Sequence, residues 1–229
     1  MKKVPMTLGI VLLLWAARPA TATIVILDDY YASSANAVSN FYGSDSDAQQ
    51  GEDPVGASAQ VQGPLANSVA WANAQLLAVA AGAGATAIQP PDGLTLSLSL
   101  STAANVVFTV QSDTPWTFSV EASSSTVHVG NANTQAAAAA AVLDAQGNML
   151  FLYNLSVDGP VAACDFGPGE YKLGLVATSA AAASACPQAP EPAGAESTVE
   201  MGVELTPIPE PATIALLGLG TLVFLKKRN

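Results

Sequence analysis

From Leu94 to Leu205, apolar and polar residues alternate with a period of two, a pattern that indicates β-strands. The stretch LTLSLSL, for example, places its four leucines on one face and its Thr and Ser residues on the other. A turn centred on Asp144 to Asn148 separates two further strands. Comparable alternation recurs in the stretches NVVFTV, WTFSVEA, TVHVG, FGPGEYKLGLVA and STVEMGVEL. We therefore predict an all-β fold, an antiparallel β-sandwich or jelly roll, whose body spans residues 94–206.

The preceding residues 23–93 form the N-terminal part of the same region and have a weaker pattern. TIVIL is predicted to open as a strand, whereas residues 33–56 have the polar, acidic composition of a loop. The stretch PLANSVAWANAQLLAVAA fits an amphipathic helix, but it also fits two strands of small residues around Asn67 and Asn73. We favour strands, because the downstream sheets need partners. The segment AGAGATAIQPPDG is predicted to be a loop.

The first residues have the features of a secretory signal peptide. Lys2 and Lys3 precede an apolar run of twelve residues from Val4 to Trp15. Ala20 and Ala22 are the small residues that signal peptidase requires, so we predict a signal-peptide helix within residues 1–22 and cleavage after Ala22. An N-terminal membrane anchor is the alternative, but this run is too short to cross a bilayer core of ~30 Å comfortably.

Residues 207–229 combine three features in order. A proline-rich motif comes first, an apolar stretch over residues 212–225 follows, and the segment ends in a basic cluster. The motif is Pro209, Glu210 and Pro211, and the cluster is Lys226, Lys227 and Arg228. If a helix begins at Thr206, it approaches bilayer thickness, and its basic end should stay in the cytoplasm. We therefore predict a single, short C-terminal transmembrane helix.

This tail resembles a PEP-CTERM sorting signal. The resemblance implies an exported bacterial protein handled by exosortase, an intramembrane transpeptidase-like enzyme. It also implies that residues 209–211 are recognised and that the helix, inserted transiently in the membrane, is then discarded. Proteins with such tails are linked to exopolysaccharide and biofilm production. The stretches VVFTVQSDTPWTFSVEAS, VLDAQGNMLF and FGPGEYKLGLVATSA are in turn similar to β-sandwich ectodomains that often precede such tails, which implies a fold rather than an activity.

The charged residues are distributed unevenly along the chain. Six of the seven Lys and Arg residues lie in the two terminal segments, and residues 23–206 retain only Lys172. The same region holds seventeen of the eighteen Asp and Glu residues, all except Glu210, so its net charge is near −16. Binding to nucleic-acid phosphates depends on Lys and Arg. Nucleic-acid binding is therefore excluded, whereas a diffuse attraction for divalent cations is not.

Cys164 and Cys186 are the only two cysteines in the chain. Export would carry them into a compartment where disulfides persist. We therefore predict a Cys164–Cys186 disulfide, which on the chain-entropy estimate would stabilise the fold by about 3 kcal/mol. A metal site made from these two residues and a distant histidine has no supporting spacing.

Few residues have the spacing of a catalytic or cofactor site. His128 is the only histidine, lies in an alternating strand pattern, and is predicted to be exposed. No G-x-S-x-G motif accompanies it, and the sequence contains no phosphate loop or dinucleotide fingerprint, so we predict no catalytic residue and no cofactor. The paired carboxylates of a glycoside hydrolase stay an open alternative, because the sequence does not give the distance between two carboxyl groups in the folded protein.

Two groups of residues are candidates for binding. Asp45 and Asp47 belong to an acidic stretch and could contribute to a Ca²⁺ site, although the stretch fails the EF-hand pattern and a solvated loop is preferred. The aromatic residues of DDYY and NFY are candidates for a sugar-stacking platform: Tyr30, Tyr31, Phe41 and Tyr42. Trp71 and Trp116 could also stack on sugars, but Trp116 is in phase with Phe118 and is assigned to the core.

We therefore expect an exported, non-enzymatic protein of the cell surface or extracellular matrix, associated with exopolysaccharide. The alternatives are a carbohydrate- or Ca²⁺-binding module in the same location and, third, a secreted hydrolase. Its expected partners are signal peptidase, an exosortase-type enzyme and exopolysaccharide.

Overall fold

Alternating small residues build long antiparallel strands throughout residues 23–90, 93–189 and 191–208, the parts of the chain that the computed structural model describes. The strands are β1 Ile24–Asp28, β2 Tyr31–Ser39, β3 Gly43–Gly51, β4 Val55–Gln62, β5 Ala66–Gln75, β6 Ala78–Ala87, β7 Thr95–Ser112, β8 Trp116–Val129, β9 Ala132–Asp144, β10 Met149–Asn154, β11 Val161–Phe166, β12 Gly169–Ala185 and β13 Ala193–Pro207. One helical turn, α1 Leu155–Asp158, follows β10, and its first turn is capped by the Asn154 side chain.

Two antiparallel sheets pack face to face as a sandwich. The first sheet has the strand order β10-β9-β12-β7-β2-β3, and β1 pairs with the same edge of β7 as β2 does. The second sheet has the order β11-β8-β13-β6-β5-β4. Strands from residues 23–93 and strands from residues 94–206 share both sheets.

These strands confirm the all-β prediction and correct several local assignments. Residues 66–87 form β5 and β6, so the strand interpretation is right and the helix alternative is wrong. The predicted loop at residues 33–56 is mostly strands β2 and β3, and all of AGAGATA belongs to β6. These strands consist mainly of Ala, Gly, Ser, Asp and Gln, and such residues give little of the hydrophobic contrast on which strand prediction depends.

The N-terminal half of the long strand β7 faces the core with its polar side. Leu94, just before the strand, and the leucines at positions 96, 98 and 100 are 43–50% exposed, whereas Thr95, Ser97, Ser99 and Ser101 are fully buried. The facing strand β6 presents Ala83, Ala85 and Ala87 to the same interior layer. Alanine side chains leave a thin space between the sheets, which serine fills and leucine would not.

The buried hydroxyls connect the two sheets directly. Ser99 Oγ donates to the carbonyl oxygen of Gly84 at 3.0 Å, and Ser101 Oγ donates to that of Gly82 at 3.0 Å. Elsewhere Ser179 Oγ donates to the Ser197 carbonyl oxygen at 2.7 Å. A serine side chain is short, so these bonds require the sheets to lie closer here than the usual ~10 Å.

The opposite end of the sandwich contains the large side chains. Trp116 is fully buried, which confirms its predicted place in the core. Its ring stacks on Phe166 at a centroid distance of 5.0 Å and meets the edge of Tyr171 at 5.3 Å. Leu173 and Met201, which belong to the alternating stretches FGPGEYKLGLVA and STVEMGVEL, are buried in the same cluster. The interior therefore changes from an aromatic end to an alanine and serine end.

The two predicted terminal segments lie outside the described residues. This applies to the signal peptide of residues 1–22 with Ala20 and Ala22, to the helix of residues 212–225 and to the basic cluster 226–228. Within the residues that the structure describes, none of the helical structure has the length and apolar character needed to cross a membrane.

Candidate functional site

The outer face of the second sheet carries a shallow groove along β6. Its floor consists of Ala78, Ala80, Gly82 and Gly84, whose strand neighbours point into the core. Strand β6 lies between β5 and β13, and the longer side chains of these two neighbouring strands form the walls of the groove. The two bordering strands stand roughly 9.5 Å apart, which is twice the usual spacing between neighbouring strands. We name this feature the β6 groove.

Trp71 of β5 lies across the middle of the groove. It pairs with Gly82, and a Cβ atom at Gly82 would stand 2.3 Å from the indole atoms Cε2 and Nε1. Only glycine therefore fits beneath the ring. The indole is 37% exposed, so it covers the β6 backbone and presents aromatic surface to solvent. Sequence reasoning named Trp71 as an aromatic candidate but missed the groove, whose signal is the glycine pair inside a strand.

A depression of about 230 Å³ lies on each side of Trp71. The first is lined in part by Asn67, Gly84, Thr86 and Glu196, and the second by Asn73, Ala80, Glu200 and Gly202. The carboxamide oxygen Oδ1 of Asn67 is buried and accepts no hydrogen bond. The groove therefore combines an exposed aromatic ring with amide, hydroxyl and carboxylate groups, a combination suited to a ligand with both apolar faces and hydroxyls.

Both described ends of the chain emerge at the aromatic end of the sandwich. The backbone N–H of Ile208 donates to the Pro115 carbonyl oxygen at 2.8 Å, next to the pairing of Pro207 with Trp116. The N–H of Thr23 donates to an Asp113 carboxylate oxygen at 3.4 Å. Ile208, the last described residue before the C-terminal segment, is thus held at the aromatic end of the sandwich.

Comparison with protein families identifies that segment. Residues 207–228 match the PEP-CTERM protein-sorting motif. The motif implies an exported protein that is directed to the cell envelope and processed by an exosortase. No curated protein matches the chain. Since the PEP-CTERM match covers only the tail, it assigns sorting and leaves the role of the sandwich to its own geometry.

The predicted aromatic platform of the PEP-CTERM ectodomain is not assembled in the structure. Tyr31 is 1% exposed and donates a hydrogen bond to an Asp29 carboxylate oxygen at 2.7 Å, so it belongs to the core. Burial, followed by the hydrogen bond to Asp29, raises the pKa of Tyr31 to about 12. Tyr30 is exposed beside it, but Phe41 lies beyond the other end of β2. The nine residues of β2, roughly 30 Å of strand, separate Tyr30 and Tyr31 from Phe41 and Tyr42.

Tyr42, the fourth platform residue, has a structural role. Its ring occupies the space above Gly63, where a Cβ atom would stand 2.3 Å from the ring carbons. Its hydroxyl oxygen accepts a hydrogen bond from the Leu65 backbone N–H at 3.2 Å. Tyr42 thereby braces the turn between β4 and β5.

Asp45 and Asp47 connect the edges of the two sheets. Asp45 Oδ2 accepts the backbone N–H of Gln60 at 2.8 Å, and Asp47 Oδ2 accepts that of Ser58 at 3.1 Å. Both donors lie on β4, the edge strand of the second sheet, so two of its outward N–H groups are thereby satisfied. In the described ranges, no group of three or more His, Cys, Asp or Glu residues is placed to hold a metal ion.

The predicted Cys164–Cys186 disulfide is wrong. Both thiols are free and half-buried. Cys164 lies on β11 near the aromatic end of the sandwich, whereas Cys186 follows β12 at the alanine end. The seventeen residues of β12 separate them by roughly 40 Å or more, far beyond the Cα separation of ~7 Å that a disulfide allows. His128 is exposed near the end of β8, opposite Ala195.

Proposed function

We propose that this exosortase-sorted protein acts without enzymatic activity at the cell surface or in the extracellular matrix, where it associates with exopolysaccharide. The observation that carries the proposal is the PEP-CTERM motif at residues 207–228. Removal of residues 1–22 by signal peptidase and transient membrane insertion of the tail belong to the same proposal.

The charge of the ectodomain supports an extracellular role of this kind. Residues 23–206 combine seventeen acidic residues with one lysine, so copies of the sandwich repel one another and stay hydrated. Because Ile208, the last described residue, lies at the aromatic end, the sandwich would extend from that end away from the membrane before processing. The surface features that it would then offer to the matrix are a groove and a row of exposed leucines.

A carbohydrate-binding module is the second candidate function, and the β6 groove is the observation that favours it. The Ca²⁺-binding form of this candidate has less support, because one oxygen of each of Asp45 and Asp47 already accepts a backbone N–H.

The test uses an epitope-tagged chain in a bacterium that produces exopolysaccharide and exosortase. Replacing Pro209, Glu210 and Pro211 by alanine should leave the tail uncleaved and remove the protein from the matrix fraction on immunoblots. The same tripeptide occurs at Pro190, Glu191 and Pro192, which provides a matched control. Alanine there should change neither processing nor location.

Digestion of the exopolysaccharide should release the wild-type protein from the matrix fraction. A wild-type protein that is processed normally but stays in that fraction after digestion, or is found only in the medium, would contradict the matrix association.

A further inference from the structure

We propose that the β6 groove binds one extended polysaccharide chain made of neutral or amino-bearing sugars, with a sugar ring stacked on Trp71. The inference rests on the proposed association with exopolysaccharide and names the site and the chemical class of the ligand.

The shape of the groove selects a single extended chain. The floor from Ala78 to Thr86 is about nine residues of strand, or roughly 27 Å long. The walls stand on β5 and β13, the two strands directly beside β6. The two depressions lie in line along β6 on either side of the Trp71–Gly82 pair, and Trp71 lines the first of them. A linear polymer can therefore place one ring on the indole and neighbouring rings in both depressions.

The chemistry of the lining fits a hydroxylated ring. The C–H face of a sugar is apolar and packs on an aromatic surface, while its hydroxyls need hydrogen-bond partners. The buried Oδ1 of Asn67 is an acceptor without a donor, and a sugar hydroxyl would supply one. Thr86 and Asn73 line the two depressions and offer further donors and acceptors.

The charges of the groove exclude one class of polymer. Glu196 lies opposite Gly84 and Glu200 opposite Ala80, so each depression has a carboxylate on its β13 wall. The only cationic Lys or Arg within residues 23–206 is Lys172, which lies on β12 in the other sheet. Uronic acid polymers would be repelled, whereas an ammonium group would be attracted.

Trp71 has an alternative role that the test must separate. An aromatic ring across from a strand glycine can act only to cover the backbone and stabilise the sheet. Variants that fill the groove and retain Trp71 distinguish the two roles. A Cβ atom at Gly84 would have its nearest neighbour at 3.9 Å and one at Gly202 at 4.0 Å, so the backbone leaves room for a side chain at both positions. Gly84→Val and Gly202→Val would extend a side chain into each of the two depressions.

A matched control lies on the other sheet, away from the groove. A Cβ atom at Gly51 would meet its nearest neighbour at 3.9 Å, and Gly51 ends β3, the edge strand of the first sheet. Gly51→Val should therefore leave ligand binding unchanged.

The experiment is isothermal titration calorimetry on the full chain in mild detergent, with β-1,4- and β-1,3-linked glucose hexamers, a glucosamine hexamer and a galacturonic acid hexamer as probes. We expect a glucose or glucosamine hexamer to bind and the galacturonic acid hexamer not to bind. Trp71→Ala, Gly84→Val and Gly202→Val should each weaken binding at least tenfold. Glu196→Gln with Glu200→Gln should weaken binding of the glucosamine hexamer more than that of the glucose hexamers.

Three results would overturn the proposal: no binding of any glucose or glucosamine probe, equal binding of the galacturonic acid hexamer, or full binding by both valine variants. If Trp71→Ala unfolds the protein, Gly84→Val and Gly202→Val decide the outcome. If the protein associates with the matrix in cells but none of the oligosaccharide probes binds, this site alone is refuted. Loss of matrix association in a protein that binds the probes would refute the proposed function instead.

Discussion

The inward-facing serines of β7 lead to a prediction that reverses the usual rule for apolar residues. Ser99 is fully buried and donates to the Gly84 carbonyl oxygen at 3.0 Å, whereas its neighbour Leu98 is 43% exposed. In Ser99→Leu, a larger side chain must enter a thin layer, which costs about 1–3 kcal/mol, and the lost hydrogen bond adds about 1 kcal/mol. The expected loss of unfolding free energy is therefore about 2–4 kcal/mol.

The adjacent substitution should have a much smaller effect. Full burial of a leucine contributes about 1.5–3 kcal/mol, and Leu98 is little more than half buried, so Leu98→Ser should cost only about 1 kcal/mol. Urea unfolding of residues 23–208, compared at equal m-values, measures both. Leu100→Ser is the matched control on the same exposed row and should resemble Leu98→Ser. A larger loss for Leu98→Ser than for Ser99→Leu would refute the inward placement of the serines.

Three further predictions concern single side chains. Hydrogen bonds donated by the side chain and backbone of Asn148 are the largest causes that lower the pKa of Asp144. The hairpin should therefore keep the stabilisation from these bonds at neutral pH and lose it as the pH falls through the lowered pKa. An NMR titration of the Asp144 carboxyl carbon would measure that pKa. Tyr31→Phe should lower the unfolding free energy by about 1–3 kcal/mol, because it removes the hydrogen bond to Asp29. Because the pKa of Tyr31 is raised to about 12, the wild-type protein should lose stability as the pH rises from about 10 to about 12, and ultraviolet titration of the phenol would measure that pKa. Replacing both Cys164 and Cys186 by serine should change the unfolding free energy by less than about 1 kcal/mol, and alkylation in denaturant without reductant should label both wild-type thiols.

The strands that were predictable from the sequence are those that join the aromatic core. Trp116, Leu173 and Met201 alternate with polar residues, and each is buried as the pattern indicates. At that end of the sandwich, large apolar side chains fill a wide interior, so hydrophobicity and burial coincide. The period of two then identifies both the strand and its inward face.

At the alanine end, hydrophobicity no longer identifies the inward face. The LTLSLSL pattern defines a strand, but only the facing alanines of β6 reveal that its serines point inward. The same lack of contrast hid β2, whose inward residues include Ser33, Ala35 and Ala37, and β3, which has no buried residue. The position of Asp45 and Asp47 against β4 depends on contacts between two sheet edges, which a local pattern does not contain.

The candidate site depends on the same thin interior. Small residues on β6 allow close sheet packing on its inner side, and Gly82 and Gly84 on its outer side leave the groove that Trp71 crosses. Trp71 is aligned through Gly82 with Thr198 of β13, nine residues before Pro207. At ~3.3 Å per residue, this places Trp71 roughly 30 Å from Pro207, where the matched sorting motif begins. Trp71, Gly84 and Gly202 all lie outside residues 207–228, so exosortase processing and polysaccharide binding should be separable by mutation.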